Sequence, residues 1–382
     1  MPRPIRVLWL IKGLGPGGAE TLLGSVARVR DRREFTYHAA YLLPWKDTLV
    51  GRLEGEGVVV HCLAAKGNAD LRWLARLRRL LVSERFDVLH VHSPYPAGFA
   101  RLVVTSLPQR LRPAVVSTEH NVWWGHSWPT RTINALTYPL DDAQLVVSEE
   151  VRTSIPAVLR RRAETVVHGL LTEQVQERLG DRERIRQELG ADDDCVLVCT
   201  VANFRAQKGY PYLLQAARQV VDSGMPVRFV AVGQGPLEPE LRRVHAELGL
   251  GSAFAFLGYR EDALSVAAAS DIFALASLHE GYPIAVMEAL AVGLPVVATP
   301  VGGIPDAVRD GVEGLIVPPR EPALLAEAIL RLVRDPGLRA AMSKAATERG
   351  RAFDIRHAAR RIEAVYRAVT QERQAGLSPV QR

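Results

Sequence analysis

Cysteine is scarce: three in 382 residues, Cys62, Cys195 and Cys199, each in an apolar, strand-like segment and none with metal-ligand spacing. A disulfide framework and a thiolate metal site are therefore excluded, and the pattern points to reduced thiols in the core of a cytoplasmic protein. No apolar run approaches the roughly 18 residues that a membrane-crossing helix needs. The first six residues carry signal-like charge, but the apolar run from Val7 to Ile11 is too short for a secretory signal, stops at Lys12 and leads into glycines, so it reads as a first strand. No internal repeat is visible, and only the last ten or so residues have the look of a disordered tail. Acidic residues are short in the first half: up to Gly180, roughly 24 Lys and Arg face roughly 17 Asp and Glu, while the remainder is close to balance. The net charge of +6 thus belongs to the first half, which faces something acidic or an anionic surface.

What is present is apolar residue in plenty, 48% of a chain long enough for two domains. Short β-branched segments alternate with helical patterns. Strands are expected at residues 5–11, 37–43, 58–63, 87–92, 114–120 and 144–147, then at 195–201, 227–233, 254–258, 271–276 and 295–299. The alternation predicts an α/β protein of two Rossmann-like, doubly wound parallel-sheet domains, facing a cleft at the carboxyl ends of their strands. The charged stretch 172–194 reads as a linker and the helix that leads into the second domain. The expected domains are residues 1–170 and 171–354, with a final helix from about 355 returning to the first.

The most informative stretch runs from His279 to Ala291. Pro283 fits the first turn of a helix and Gly293 follows its end, which leaves Glu280 in the preceding loop and Glu288 as the only charged residue of a helix without a polar face. A carboxylate there points into something buried and wants donors, which a ribose diol would supply as well as a backbone group or an arginine would. The helix start at Ile284 suits a diphosphate.

Other loops fall at strand ends. The loop 13–18 satisfies G-x-G-x-x-G, but no acidic residue closes the second strand, so Gly17 and Gly18 read either as a close approach to a ligand or as a tight turn. His120 ends a strand, as do His90, His92 and His168; each can serve a sugar or simply satisfy the core. Arg205 and Lys208 sit between a strand and a helix start, placed for a diphosphate. Gly233, the Tyr259-Arg260 pair and the loop 301–306 end further strands on the same rim. The helix at 71–81 is basic and amphipathic. It packs on the sheet through its leucines or lies on an anionic membrane, with Trp73 at the interface and Arg72, Arg76 and Arg79 on headgroups.

The segment from Val201 to about Pro336 resembles glycosyltransferase family 4, through Asn203 to Gly209, Gly233 to Leu237, Glu280 to Glu288, Gly293 to Ala298, Gly302 to Pro305 and Gly314 to Pro319. Gly17 to Glu20 and the His120 segment extend the likeness into the first half. The resemblance implies a GT-B fold and a retaining transfer of a sugar from a nucleotide diphosphate, with no metal and no cofactor besides the donor. It assigns catalytic roles to His120, Glu280 and Lys208. Donor and nucleotide contacts fall to Gly17, Gly18, Arg205, Lys208, Gly233, Tyr259, Arg260, Glu280, Gly281, Tyr282, Pro283, Ile284 and Glu288. The chain departs from the family at Asn203, where arginine is common, at His168-Gly169, where Asn-Gly is common, and at Asp306, where glutamate is usual.

The resulting expectation is a hexosyltransferase using a UDP-sugar in preference to a GDP-sugar. Its acceptor is a glycan or a lipid-linked molecule of cell-surface polysaccharide or glycoconjugate synthesis. It acts in the cytoplasm, with peripheral association to anionic membrane at its inner face and no nucleic-acid partner. The rivals are a sugar-nucleotide epimerase or hydrolase on the same fold and a glycan-binding subunit without turnover.

Overall fold

Among the described residues thirteen strands form, eleven of them where the β-branched runs lie, and all pair in parallel because a helical segment separates each from the next. The computed structural model describes residues 3–375 apart from 16, 68, 172, 174, 176, 178, 179 and 181. Residues 376–382 of the expected tail and six residues of the expected linker 172–194 lie outside these described residues. The chain divides into two units: the described residues of Met1–Gly169 with Ile355–Arg382, and Leu170–Asp354.

In the first unit, β1 (Ile5–Ile11), β2 (Phe35–Tyr41), β3 (Val59–Cys62), β4 (Val88–Val91), β5 (Ala114–Glu119), β6 (Ala143–Val146) and β7 (Ala163–Thr165) line up as β3-β2-β1-β4-β5-β6-β7. Ile5 sits opposite Phe35 and Ile11 opposite Tyr41, while Val7 sits opposite Val88 on the other side. Every residue of β4 and β5 is buried, as expected of central strands covered by helices on both faces. In the second unit, β8 (Val196–Val201), β9 (Val227–Val232), β10 (Phe254–Gly258), β11 (Ile272–Leu275), β12 (Val296–Ala298) and β13 (Gly314–Ile316) run in the order β10-β9-β8-β11-β12-β13. Each order reverses direction beside its first strand, between β1 and β4 and between β8 and β11. Loops leaving two such neighbours diverge and open a crevice at their carboxyl ends.

The helix Arg72–Glu84 corrects one expectation. Trp73, Leu77 and Leu81, at four-residue spacing, form its buried stripe, so Trp73 lies in the core and not at a membrane interface. Two of its arginines are also engaged: Arg72 pairs with Asp70 at 2.8 Å, and Arg76 donates to the carbonyls of Leu63 and Ala64. The cysteines need a second correction. All are free thiols, yet only Cys199 is buried, while Cys62 is exposed at the end of the edge strand β3 and Cys195 is half-buried. Among the described residues no helix is long and apolar enough to cross a membrane.

The last helix, Ile355–Gln374, is part of the first unit. Its Tyr366 is fully buried against Tyr37 and receives the Trp9 indole N–H at 3.2 Å, while Arg367 pairs with Glu34 and Arg373 with Asp142. Deeper still, Arg101 on the helix Pro94–Thr105 meets Asp141 through two bonds of 2.7 Å with neither side chain exposed. Ser117 also donates to Asp141, and Arg101 donates to Asn134, which in turn donates to Glu119. Burial raises the Asp141 carboxyl even so, with Arg101 opposing the shift. Removing one partner of such a pair strands a charge and costs about 3–5 kcal/mol.

Candidate active site

On the second unit the crevice between β8 and β11 is built from loops that hold one another. The turn after β8 is pinned to the loop after β11 by the Leu278 N–H donating to the Gln207 carbonyl at 2.7 Å. Gly209 adopts φ +62° where the two loops cross. A Cβ there would stand 1.9 Å from the Ala276 carbonyl oxygen, so no other residue fits. Similarly, Gly302 (φ +62°) and Gly303 press on the Glu280–Tyr282 turn. A Cβ at Gly302 would stand 2.6 Å from the Gly281 carbonyl oxygen, and Gly303 N–H donates to that same oxygen at 2.8 Å.

This scaffold brings Lys208, from the strand end of β8, to Glu280, from the strand end of β11. The ammonium lies 2.5 Å from Glu280 Oε1, which also accepts the Ser277 hydroxyl at 2.6 Å. The sequence places both charges on the rim but gives no sign that they pair, and nothing in it singles out Ser277. The pair presents a cation held in place by a carboxylate, so an incoming anion meets an oriented ammonium.

Pro283 is the cap of the helix Ile284–Ala291, not its first residue, and Gly293 at φ +81° follows its end. Tyr282 is buried beneath Gly303, and burial raises its phenol. Val286, Met287, Ala289 and Leu290 face the core, and Glu288 stands among them with one partly open edge and no side-chain partner among the described residues. Desolvation pushes its carboxyl up to about 7. A carboxylate in the middle of an apolar helix, short of donors, is what a diol-bearing ligand would complete.

The remaining second-unit candidates divide. Arg205 is exposed and its guanidinium has no partner among the described residues, so it stays available to a ligand. Gly233 is explained by packing: its Cβ would stand 2.0 Å from the Ala202 carbonyl oxygen, and its N–H is already given to Gly258 at 2.9 Å. Tyr259 is exposed on the rim, whereas Arg260 is clamped by Glu188 and Asp262. Gly281 lies buried in the turn between Glu280 and Tyr282.

On the first unit, Gly17 caps the helix Gly18–Val29, but the Glu20 carboxylate folds back over it, 2.4 Å from where a Cβ would be. Glu20 thereby holds the anion position at this helix start, and burial raises its carboxyl. His120 meets His92 at 3.3 Å through Nε2 and His168 at 3.1 Å through Nδ1. His90 lies against His92 with ring centroids 4.0 Å apart and the planes tilted by 40°. Burial lowers all four, His120 to about 4 and His90 to about 3, so they are neutral at pH 7. The family resemblance singled out His120 alone. The other three were placed at strand ends as well, but nothing in the sequence shows that these ends converge, since His168 follows β7, two strands from β5.

Two family models match the chain: that of "Glycosyltransferase Family 4" over residues 16–173 and that of "Glycosyl transferases group 1" over residues 181–349. The chain is similar to alpha-D-kanosaminyltransferase of Streptomyces kanamyceticus, 26% identical over 80% of this chain and 83% of that enzyme. A shorter match, 34% identical over 49% of this chain and 46% of the relative, joins it to D-inositol 3-phosphate glycosyltransferase of Corynebacterium efficiens. Among solved structures, Anabaena HepE in complex with UDP and glucose superposes with a TM-score of 0.81 at 22% identity, over 95% of this chain and 100% of that one. The two-sheet architecture and this likeness together give the GT-B fold.

Proposed function

The chain belongs to glycosyltransferase family 4, and from that premise we propose that it moves a hexose-type sugar from a UDP-sugar to a glycan or lipid-linked acceptor, with retention of configuration. The observation that carries the donor reading is Glu288, a solitary carboxylate in an apolar helix with its carboxyl raised to about 7. A ribose diol supplies the two donors it lacks, and binding restores the ionised form. HepE, with UDP and glucose bound, is a protein of the same fold and supports UDP as the nucleotide.

In this reading the Ile284 helix start, Lys208 and the free Arg205 neutralise the departing diphosphate. Glu280 with Ser277 holds the Lys208 ammonium in place before the donor arrives, so less reorganisation is needed when charge develops on the leaving oxygen. The acceptor hydroxyl attacks from the face the diphosphate leaves, and no protein nucleophile or bound metal takes part. A lipid-linked acceptor is favoured by Trp124 and Trp128, 53% and 71% exposed on the first unit. Such residues favour an amphipathic molecule or an interface. The site of action proposed is the cytoplasmic face of a membrane.

The test is nucleotide release by the purified full chain over a panel of UDP- and GDP-sugars, with and without candidate acceptors. UDP release that depends on acceptor is expected. An isomerised donor without acceptor would move the assignment to an epimerase, and binding without any release would make the protein a non-catalytic subunit.

A further inference from the structure

The crevice of the first unit opens between β1 and β4, where its strand order reverses. Three loops are tied together there. The Lys12 carbonyl, just past β1, accepts from the backbone N–H groups of Leu42 and Leu43, past β2, at 3.3 and 3.2 Å, and the Lys12 N–H donates to the Ser93 hydroxyl, past β4, at 3.2 Å. The Leu14 N–H donates to the Lys46 carbonyl at 2.7 Å, a second tie between the first two loops.

These ties bring two lysine side chains together. The half-buried Lys12 sets its ammonium over the Tyr95 ring, 5.8 Å from the centroid. The Lys46 stem lies against Gly13, the neighbour of Lys12, where an added Cβ would stand 2.8 Å from both its Cβ and its Cδ. Burial and the Lys46 charge both lower the Lys12 ammonium from its ordinary value, and no carboxylate opposes them. Among the described residues neither lysine forms an ion pair. Glu20, the carboxylate that Lys46 acts on, bonds its own backbone N–H, and burial raises it toward the neutral form; Asp47, next to Lys46, is exposed. Two like charges held near one another without a counter-ion destabilise each other, and an anion between them removes that cost.

We propose that Lys12 and Lys46 form a site for a phosphate group carried by the acceptor, so that the sugar goes to a phosphorylated molecule and not to an uncharged glycan. A lysine acts as a point charge, and two together match the nearly double negative charge of a phosphate ester better than the single charge of a carboxylate. The Tyr95 ring steadies the Lys12 ammonium without supplying a carboxylate that would compete with the phosphate. Lys12, Lys46 and Tyr95 belong to the first unit, whereas Arg205, Lys208 and Glu288 belong to the second, so this site is separate from the one assigned to the nucleotide. Only the role of the phosphate as part of the acceptor rests on the glycosyltransferase reading; the anion site itself does not.

The experiment uses the full chain with 13C-labelled lysine, assigned through single variants, and with UDP present. Inorganic phosphate should move the Lys12 and Lys46 signals, raise the pH at which Lys12 titrates and raise the unfolding temperature of the first unit. The double variant Lys12→Gln with Lys46→Gln should lose that stabilisation by phosphate, yet unfold without phosphate no lower than wild type, because a repulsion has been removed. In the transfer assay a soluble sugar phosphate and a sugar diphosphate on a short polyprenyl chain are each compared with the uncharged counterpart. One of the two phosphorylated acceptors should be preferred by about tenfold to a hundredfold in kcat/KM, and which one it is separates a soluble source of the phosphate from a lipid-linked one. The double variant should lose the preference through KM, with kcat within about threefold of wild type. Lysine signals that phosphate leaves unmoved, signals that UDP moves and phosphate does not, preference for an uncharged acceptor, or equal loss on charged and uncharged acceptors would each overturn the proposal. If no acceptor-dependent release is found, the phosphate titration still decides the anion site; if the titration fails while release persists, this site falls and the transferase reading stands.

Discussion

Replacing Glu288 by Gln is expected to make the protein more stable and a poorer binder at the same time. A carboxyl held at about 7 instead of its ordinary 4.5 takes up a proton on folding between those two values. Its contribution to stability is therefore fully present below about pH 4.5 and is lost as pH rises through 7. Each pKa unit corresponds to about 1.4 kcal/mol, so the ionised residue costs the fold about 3 kcal/mol at pH 8, and the partly open edge of the side chain reduces this to about 2. Gln has no charge to desolvate. At pH 8 the second unit of Glu288→Gln should unfold about 4–8 °C higher than wild type, and at pH 5 the difference should shrink to about a quarter of that. Scanning calorimetry over that range reads the effect. In the same protein a titration with UDP at pH 8 should show affinity lowered about tenfold to a hundredfold, since a charged acceptor for the diol has been replaced by a neutral one. A variant no more stable than wild type at pH 8, or equally shifted at pH 5, would mean that Glu288 is not held without a partner and would remove the reason for assigning it to the ribose.

Lys208→Met should lower kcat by about 10²–10³ while leaving uridine affinity unchanged, because its charge acts on the diphosphate; steady-state kinetics with a uridine competition assay separates the two. A double-mutant cycle of Lys208→Met with Glu280→Gln, read by urea unfolding, should give a coupling of about 1–3 kcal/mol for the 2.5 Å pair. Gly302→Ala should cost about 1–3 kcal/mol and most of the activity, since both φ +62° and the Gly281 carbonyl 2.6 Å away oppose a Cβ; unfolding and turnover measured side by side check this. Changing Arg72, Arg76 and Arg79 together to Gln should leave co-sedimentation with anionic vesicles unaltered at low and high salt, because the helix that carries them is anchored through Trp73, Leu77 and Leu81.

Much of this architecture was legible because strand burial on both faces requires runs such as Val196–Val201 that nothing else explains. The two strands that escaped, β7 and β13, are three residues long and lie at sheet edges, too short to show a period and partly open to solvent. The basic helix stayed open between two readings for a related reason: a leucine and arginine pattern is the same whether its apolar stripe meets lipid or a sheet, and only the burial of Trp73 distinguishes them.

The candidate site shows the same division between what is local and what is not. Glu288 could be read from eight neighbouring residues because its oddity is local: one charge in a helix with no polar face. The partnership of Lys208 with Glu280, and that of His120 with His92, depend on strand order, since these residues lie 72 and 28 positions apart and meet because β8 neighbours β11 and β4 neighbours β5; His168, 48 positions from His120, arrives from the chain beyond β7, two strands further along the same sheet. Parallel sheets place successive strand ends on one rim without revealing which ends touch. The glycines illustrate the consequence. Gly233 was assigned to the donor and the loop 301–306 was placed on the rim; Gly233, Gly302 and Gly303 each let one rim loop lie against another, so that the rigid loop network, not free glycine backbone, is what holds Lys208 and Glu280 ready.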